Sequence, residues 1–330
     1  MKALFIGGTG IISSACSKLA VRQGIELYLL NRGKSIRPPP EGAICLQGDI
    51  RQPAEVVKVL GNLTFDAVVE WVAFTPDQVR SDIELFRKRT KQYVFISSAS
   101  AYQKPPESLP ITESTPLQNP FWQYSRHKAA CEALLVRAGR KEGFPYTIVR
   151  PSHTYDSTLL PFHGGYTTVA RMRTGKPVVV HGDGTSLWTM THHRDFAVGF
   201  NGLLGRPQAI GECFQITSDE SLSWNQIYTI VARAAGVEPV LVHVPSDVIA
   251  RYDPEWGAAL LGDKAHSMIF DNSKIRRLVP EFKASIPFRQ GAEEIIAWYN
   301  EDTTRQVIEP FIDAVQDQLV AAMERALPEK

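Results

Sequence analysis

A glycine-rich turn near the N-terminus constrains the fold more than any other feature of this chain. The turn follows a short apolar run, residues 2–6, that predicts a strand, and apolar residues at helical spacing come after it. Glycine suits this position because a Cβ atom would keep the backbone away from a pyrophosphate, to which the helix start offers unpaired N–H groups. The sequence therefore predicts a dinucleotide site. Its predicted turn contacts are Gly7, Thr9, Gly10, Ile11 and Ile12.

The alternative is an ordinary strand-to-helix turn that happens to contain glycines. The usual third glycine is replaced by Ser13, a small residue that still permits close packing of the helix on the strand. Because the turn stands directly between a predicted strand and a predicted helix, the dinucleotide interpretation is favoured.

Beyond the turn, the first half of the chain alternates Val-, Ile- and Leu-rich runs with helical stretches. Strands are predicted at 2–6, 26–30, 43–46, 66–69, 93–96 and 144–150. Helices are predicted at 53–60, 76–90 and 123–141. This order predicts an α/β fold, with a doubly wound parallel sheet of Rossmann type that is covered on both faces.

The pattern changes after Pro151, where glycine and proline become frequent and the strands become shorter. We therefore predict a dinucleotide-binding Rossmann domain over 1–150 and a smaller lobe over 151–330 that mostly binds the substrate. Some segments of the second part are expected to return to the first domain. Helices are predicted near 223–235 and over 311–327.

The end of the second predicted strand bears on the choice of cofactor. Asn31 and Arg32 stand where NAD-specific proteins place an acidic residue for the ribose, whereas arginine accepts the 2′-phosphate of NADP. The predicted cofactor is therefore NADP or NAD, with NADP modestly preferred. The alternative is that both are ordinary loop residues. Asp49, at the next strand end, is a candidate partner for the adenine amino group.

Tyr124 and Lys128 form the candidate catalytic pair. Their i, i+4 spacing in a helical stretch places both side chains on one face. A neighbouring ammonium and a positively charged nicotinamide ring lower the pKa of a phenol, which then exchanges a hydroxyl proton during hydride transfer. The alternative is a chance spacing, since the chain contains ten tyrosines.

A serine-rich segment, residues 97–102, follows the fifth predicted strand. The carboxyl ends of parallel strands are where open α/β sheets place their sites, and a serine there can bind a reacting oxygen. Taken alone, the segment is equally compatible with a simple turn.

In their order along the chain, these motifs resemble the extended short-chain dehydrogenase/reductases of the NAD-dependent epimerase/dehydratase family. The resemblance runs through residues 7–13, 48–50, 97–102, 124–128, 150–155, 171–177, 181–184 and 271–274. It implies Tyr124 as acid/base, Lys128 as the residue that holds the nicotinamide ribose, and Ser98 as the third catalytic group. It also implies cofactor contacts from Ile50, Ala73 and Pro151, and a homodimer formed through helices 76–90 and 123–141.

Two departures from the family's pattern limit what the resemblance implies about the substrate. Trp188 and residues 258–261 stand where family members that use nucleotide-diphosphate sugars carry phosphate-binding arginines. Loss of two bidentate, charge-assisted contacts makes a UDP-sugar less expected. Candidate substrate contacts are Ser98, His153 and Trp188.

The composition excludes several other classes of protein. The 36 basic and 35 acidic residues leave a net charge of +1, which provides no basic surface for nucleic acid. No apolar run has the roughly 20 residues needed to cross a bilayer. Four widely spaced cysteines indicate a reduced, cytoplasmic protein, and His192 and His193 have no evident third partner for a metal.

The sequence thus predicts an NAD(P)-dependent oxidoreductase or epimerase for a sugar, sugar derivative or related polyol. Dehydration is less expected, because Ser125 and Arg126 follow Tyr124 where dehydratases of the family place acidic residues. The alternative is a nucleotide-sensing or RNA-binding protein on the same fold. Its motivation is a further resemblance, to chloroplast stem-loop RNA-binding proteins, in the Asn-Arg-Gly turn and at residues 261–264.

Overall fold

A computed structural model of the chain describes residues 1–326. Its strands are β1 (Lys2–Ile6), β2 (Glu26–Asn31), β3 (Ile44–Gln47), β4 (Ala67–Glu70), β5 (Tyr93–Ile96), β6 (Tyr146–Pro151), β7 (His153–Tyr155), β8 (Val178–His181), β9 (Leu187–Trp188), β10 (Met190–His192), β11 (Cys213–Ile216), β12 (Leu222–Ser223) and β13 (Leu241–Val244). Its helices are α1 (Ser13–Arg22), α2 (Pro53–Leu60), α3 (Pro76–Phe86), α4 (Gln123–Glu142), α5 (Tyr166–Arg173), α6 (His193–Asn201), α7 (Trp224–Ala234), α8 (Ser246–Tyr252), α9 (Pro254–Ala259), α10 (Ser273–Leu278), α11 (Phe288–Glu301) and α12 (Pro310–Ala326).

A seven-stranded sheet forms the centre of the molecule, in the order β3-β2-β1-β4-β5-β6-β11. Every neighbouring pair in it is parallel. The strand order reverses between β1 and β4, and ligands of doubly wound sheets bind outside the carboxyl ends of the strands at such a point. The predicted Rossmann-type α/β fold is confirmed, and β11 brings a segment of the second half into the sheet.

Helices cover both faces of the sheet because its central strands are apolar on both sides. On one face, Ala15 and Cys16 of α1 pack with Phe196 and Phe200 of α6. On the other face, the apolar residues of α3 cover the sheet, with Val79, Ile83 and Phe86 all buried. α3 ends at Phe86, four residues before the predicted end. The side of α4 that faces outwards includes the exposed Ala133.

The second lobe, formed mostly by residues after 151, has an apolar core of short strand pairs and of helices α5, α7 and α11. Tyr102 and Ile111 from the first half of the chain also contribute to this core. α12 packs on this lobe through a buried arginine: Arg171 Nη1 lies 2.5 Å from Asp313 and Nη2 lies 2.7 Å from Asp317. Carboxylates from this distant helix neutralise the charge of Arg171 inside the lobe, although an arginine on a short helix is more often expected to face solvent. Leu327, the predicted end of the last helix, lies outside the described residues.

None of the helices within residues 1–326 is both long enough and apolar enough to span a membrane.

Candidate active site

The glycine turn has the tight geometry that its composition predicts. Gly7 has a φ of +82°, and a Cβ atom there would lie 2.6 Å from Val72 Cγ1. Ser13 braces the turn from the helix side, because its hydroxyl donates to the Gly7 carbonyl at 2.7 Å and accepts from the Gly10 N–H at 2.7 Å. A serine at this position therefore closes the turn by hydrogen bonding, and it also permits close packing.

A cavity of about 610 Å³ lies against this turn and the ends of β1, β2 and β3. No side chain caps α1, so the start of the helix can offer its N–H groups to an anion. The predicted contacts that line the cavity are Gly7, Thr9, Gly10, Asn31, Arg32, Asp49 and Ile50. They lie along the glycine turn and at the ends of the strands that follow it.

A second cavity, of about 360 Å³, continues on the other side of the turn. Gly7, Gly10, Val72 and Phe74 line both cavities, so the two form one elongated cleft. The predicted residues that line the second part are Ile11, Ile12, Ser98, Tyr124, Lys128, Pro151 and His153. The cleft is elongated, and a side chain at the glycine turn would clash with Val72. Both properties fit a dinucleotide.

Lys128 is a buried cation at the base of the second cavity. Its ammonium donates to the Ala73 carbonyl at 2.8 Å and to the Ile96 carbonyl at 2.7 Å. Burial lowers the pKa of Lys128 to about 8, although carboxylates such as Glu70 oppose the shift. Ala73, a predicted cofactor contact, lines neither cavity through its own side chain and instead anchors this lysine.

Tyr124 lies one helical turn before Lys128, and the Lys128 ammonium is 5.8 Å from the centre of its ring. Burial raises the pKa of Tyr124, and the nearby hydroxyl of Ser98 opposes this shift. Without a bound nicotinamide, the pKa of Tyr124 is therefore raised and not lowered, because burial is the largest influence on it. The phenol is therefore protonated at neutral pH.

The hydroxyl groups of the serine segment have different partners. Ser97 donates to Glu132, a carboxylate that also forms a buried ion pair with Arg150 at 2.6 Å. Ser100 accepts a hydrogen bond from Ser125 at 2.9 Å and lines neither part of the cleft. The Ser98 hydroxyl lies 2.9 Å from that of Ser100, and Ser98 lines the second cavity together with Ser97, Tyr124 and Lys128.

The two remaining substrate candidates occupy different environments. His153 lines the second cavity, and its buried Nε2 has no hydrogen-bond partner within residues 1–326. Burial lowers the pKa of His153 to about 3, so the imidazole is neutral. Trp188 lies away from the cleft and is only 3% exposed, in the core of the second lobe near Trp224.

Residues after β4 contribute more to the cleft than the sequence predicts. Val72 and Phe74 line both cavities, and Arg51 donates to the Val72 carbonyl at 2.5 Å. Their position at the carboxyl end of a central strand is a signal that could have identified them. Across the described residues, no three His, Cys, Asp or Glu side chains are grouped in a way that could hold a metal ion.

The strand order and the cleft at its reversal point define a Rossmann-type dinucleotide-binding protein. The model of the NAD dependent epimerase/dehydratase family matches residues 3–216, and the chain belongs to this family.

Two individual proteins are similar to parts of the chain. The chain is 27% identical over 261 residues to the chloroplast stem-loop binding protein of 41 kDa b from Arabidopsis thaliana, a match that covers 73% of this chain and 65% of that protein. It is 31% identical over 172 residues to the UDP-glucose 4-epimerase of Lactobacillus helveticus, covering 46% and 51%. The chain therefore spans between half and two thirds of the length of these relatives.

The fold is also that of a solved UDP-glucose 4-epimerase from Bifidobacterium longum, in complex with NAD+ and UDP. The two chains superpose with a TM-score of 0.72 at 18% identity, over 92% of this chain and all of that one.

Proposed function

We propose that this protein is an NAD(P)-dependent oxidoreductase or epimerase that acts on a sugar or a sugar derivative by hydride transfer. The observation that carries the proposal is the position of Tyr124, beside Ser98 and one helical turn from the buried Lys128. All three side chains line the cavity that continues from the glycine turn. The named epimerase relative supports the substrate class.

Each residue of this group has a separate task. The Tyr124 phenol gives a proton to a substrate carbonyl or takes one from a hydroxyl, and Ser98 binds the same oxygen through its hydroxyl. Lys128 holds the ribose hydroxyls and adds positive charge under the site. When bound, an oxidised nicotinamide would accept hydride and bring a positive charge, which favours the phenolate. His153 supplies a neutral hydrogen-bonding group to the substrate.

Tyr124→Phe tests the proposal, because it removes the hydroxyl and keeps the ring. We expect turnover of a substrate found by screening sugars to fall about 10²- to 10⁴-fold, with unchanged folding and dinucleotide affinity. Tyr252→Phe, on the surface of α8, is the matched control and should retain full activity. Undiminished turnover in Tyr124→Phe would contradict the catalytic assignment.

For the cofactor, we propose that the site accepts both dinucleotides and modestly prefers NADP. The family is NAD-dependent, and the solved relative from Bifidobacterium contains NAD+. In favour of NADP, Arg32 is exposed at the edge of the adenosine cavity and forms no ion pair with any described residue. No acidic residue precedes it at the end of β2.

We also propose a homodimer formed through the outer surface of α3 and α4. Leu85 and Leu134 remain partly exposed there, next to the exposed Ala133. The apolar residues Val79 and Ile83 cover the sheet and are not available to a partner. The cytoplasmic location stays a prediction.

RNA binding is the second candidate function, because one relative is a chloroplast stem-loop binding protein. Against it stands the net charge of +1, since binding to RNA phosphates needs a concentrated basic surface. A titration with stem-loop RNA at low salt separates the two functions. Salt-dependent binding that survives in Tyr124→Phe would favour the RNA function.

A further inference from the structure

A π-helical turn, Leu260–Lys264, packs against the loop that leads into α4. Turns of this kind are rare in proteins, and those that do occur often lie at functional sites. A Cβ atom on Gly262 would lie 2.6 Å from Trp122 Cβ, so the two segments are in close contact. Asn119 joins them to the serine segment, because its side-chain amide donates to the Gly262 carbonyl at 2.6 Å and to the Ser100 carbonyl at 2.8 Å.

Lys264, the last residue of this turn, is held in place through its backbone. Its carbonyl accepts hydrogen bonds from His181 Nε2 at 3.0 Å and from the Ser186 hydroxyl at 3.0 Å. Its ammonium lies 5.9 Å from the centre of the Trp122 ring, which in turn lies 4.9 Å from the Tyr124 ring. The Trp122 ring is thus a common neighbour of the Lys264 ammonium and of Tyr124, which lines the second cavity.

This charge has no anionic partner among residues 1–326. The adjacent carboxylate of Asp263 lies 3.4 Å from the ammonium of Lys104, whose side chain is completely buried. The acid next to Lys264 is therefore already matched by another lysine. Burial is the main cause of the lowered pKa of His153, which lines the second cavity, and the Lys264 charge contributes to it.

We propose that Lys264 binds an oxyanion of the substrate, a carboxylate or phosphate carried by the sugar itself. The inference rests on the proposed function and names its substrate class: a sugar acid or sugar phosphate. His153, neutral and without a hydrogen-bond partner, contacts a neighbouring hydroxyl. One ammonium suits a single anionic group. A nucleotide diphosphate would need further cations. Trp188 and residues 258–261 stand where the family's pattern places arginines for this purpose.

The test measures binding and turnover separately on the NAD-loaded protein. Calorimetry gives dissociation constants for glucuronate, glucose 6-phosphate, glucose and UDP-glucose, and the absorbance of the nicotinamide follows turnover of each. The variants are Lys264→Met and Lys264→Arg, with Lys88→Met as the matched control because Lys88 is exposed beyond the end of α3.

We expect one of the two anionic sugars to bind at least about tenfold more tightly than glucose, and Lys264→Met to remove this difference. Lys264→Arg should retain most of it, and Lys88→Met should change nothing. Which anionic sugar binds distinguishes a carboxylate from a phosphate.

Three results would overturn the inference: equal binding of glucose and both anionic sugars, no binding of either anionic sugar, or binding that Lys264→Met leaves unchanged. Tight binding of UDP-glucose that is insensitive to Lys264 would also overturn it. Binding that depends on Lys264 without turnover of any sugar would instead count against the proposed reaction, so the two failures are distinguishable.

Discussion

The loop after β2 contains two arginines, Arg32 and Arg37, whose side chains have different surroundings. Arg37 Nε donates to Asp156 at 2.9 Å, and its Nη2 donates to Thr158. The Arg37 guanidinium is therefore already paired with residues of the second lobe. Arg32 remains exposed at the adenosine cavity. Of these two arginines, only Arg32 is available to a 2′-phosphate.

Arg32→Ala should therefore weaken NADP binding at least about tenfold and leave NAD binding nearly unchanged, since a charge-assisted bond contributes roughly 1.5–3 kcal/mol. Calorimetry with both dinucleotides measures the effect, and Arg22→Ala, at the exposed end of α1, is the control. Equal affinities for NADP and NAD in the wild type would mean that Arg32 does not bind the 2′-phosphate.

At the scale of elements, the loop that carries Arg37 connects the two lobes across the glycine turn. Ser35 donates to the Thr9 carbonyl at 3.1 Å, next to the ion pair between Arg37 and the buried Asp156. The loop thus spans one side of the cleft, and a bound dinucleotide has to pass it.

Arg37→Ala should accelerate release of the dinucleotide about fivefold, the effect of losing one partly exposed ion pair. Stopped-flow displacement of bound cofactor measures the release rate. Arg80→Ala, which removes an exposed pair with Asp77 on α3, should leave the rate unchanged. A release rate in Arg37→Ala equal to that of the wild type would show that the loop does not retain the cofactor.

At the scale of the whole molecule, the outer surface of α3 and α4 is the proposed contact between two chains. Sedimentation at micromolar concentration should give twice the chain mass of 36.7 kDa. Ala133→Glu should shift the protein to the monomer, because it places a charge at the centre of the proposed interface. Ala321→Glu, on the exposed side of α12, should not. A wild-type mass of one chain would reject the dimer.

Features that depend only on residues close to one another in the sequence could be predicted from the sequence alone. The glycine turn, the strand at residues 2–6 and the i, i+4 spacing of Tyr124 and Lys128 follow from backbone geometry and side-chain periodicity, which are local. The alternation of apolar strands with helices was enough to predict the parallel sheet.

The tertiary structure decided what each of these side chains faces. Lys128 finds its partners in the loop after β4 and at the end of β5, and Arg171 finds carboxylates more than a hundred residues away. Burial raises the pKa of Tyr124 against the sequence-based expectation, and it places Trp188 in a core. Burial and charge pairing depend on residues brought together from distant parts of the chain, so no local pattern determines them.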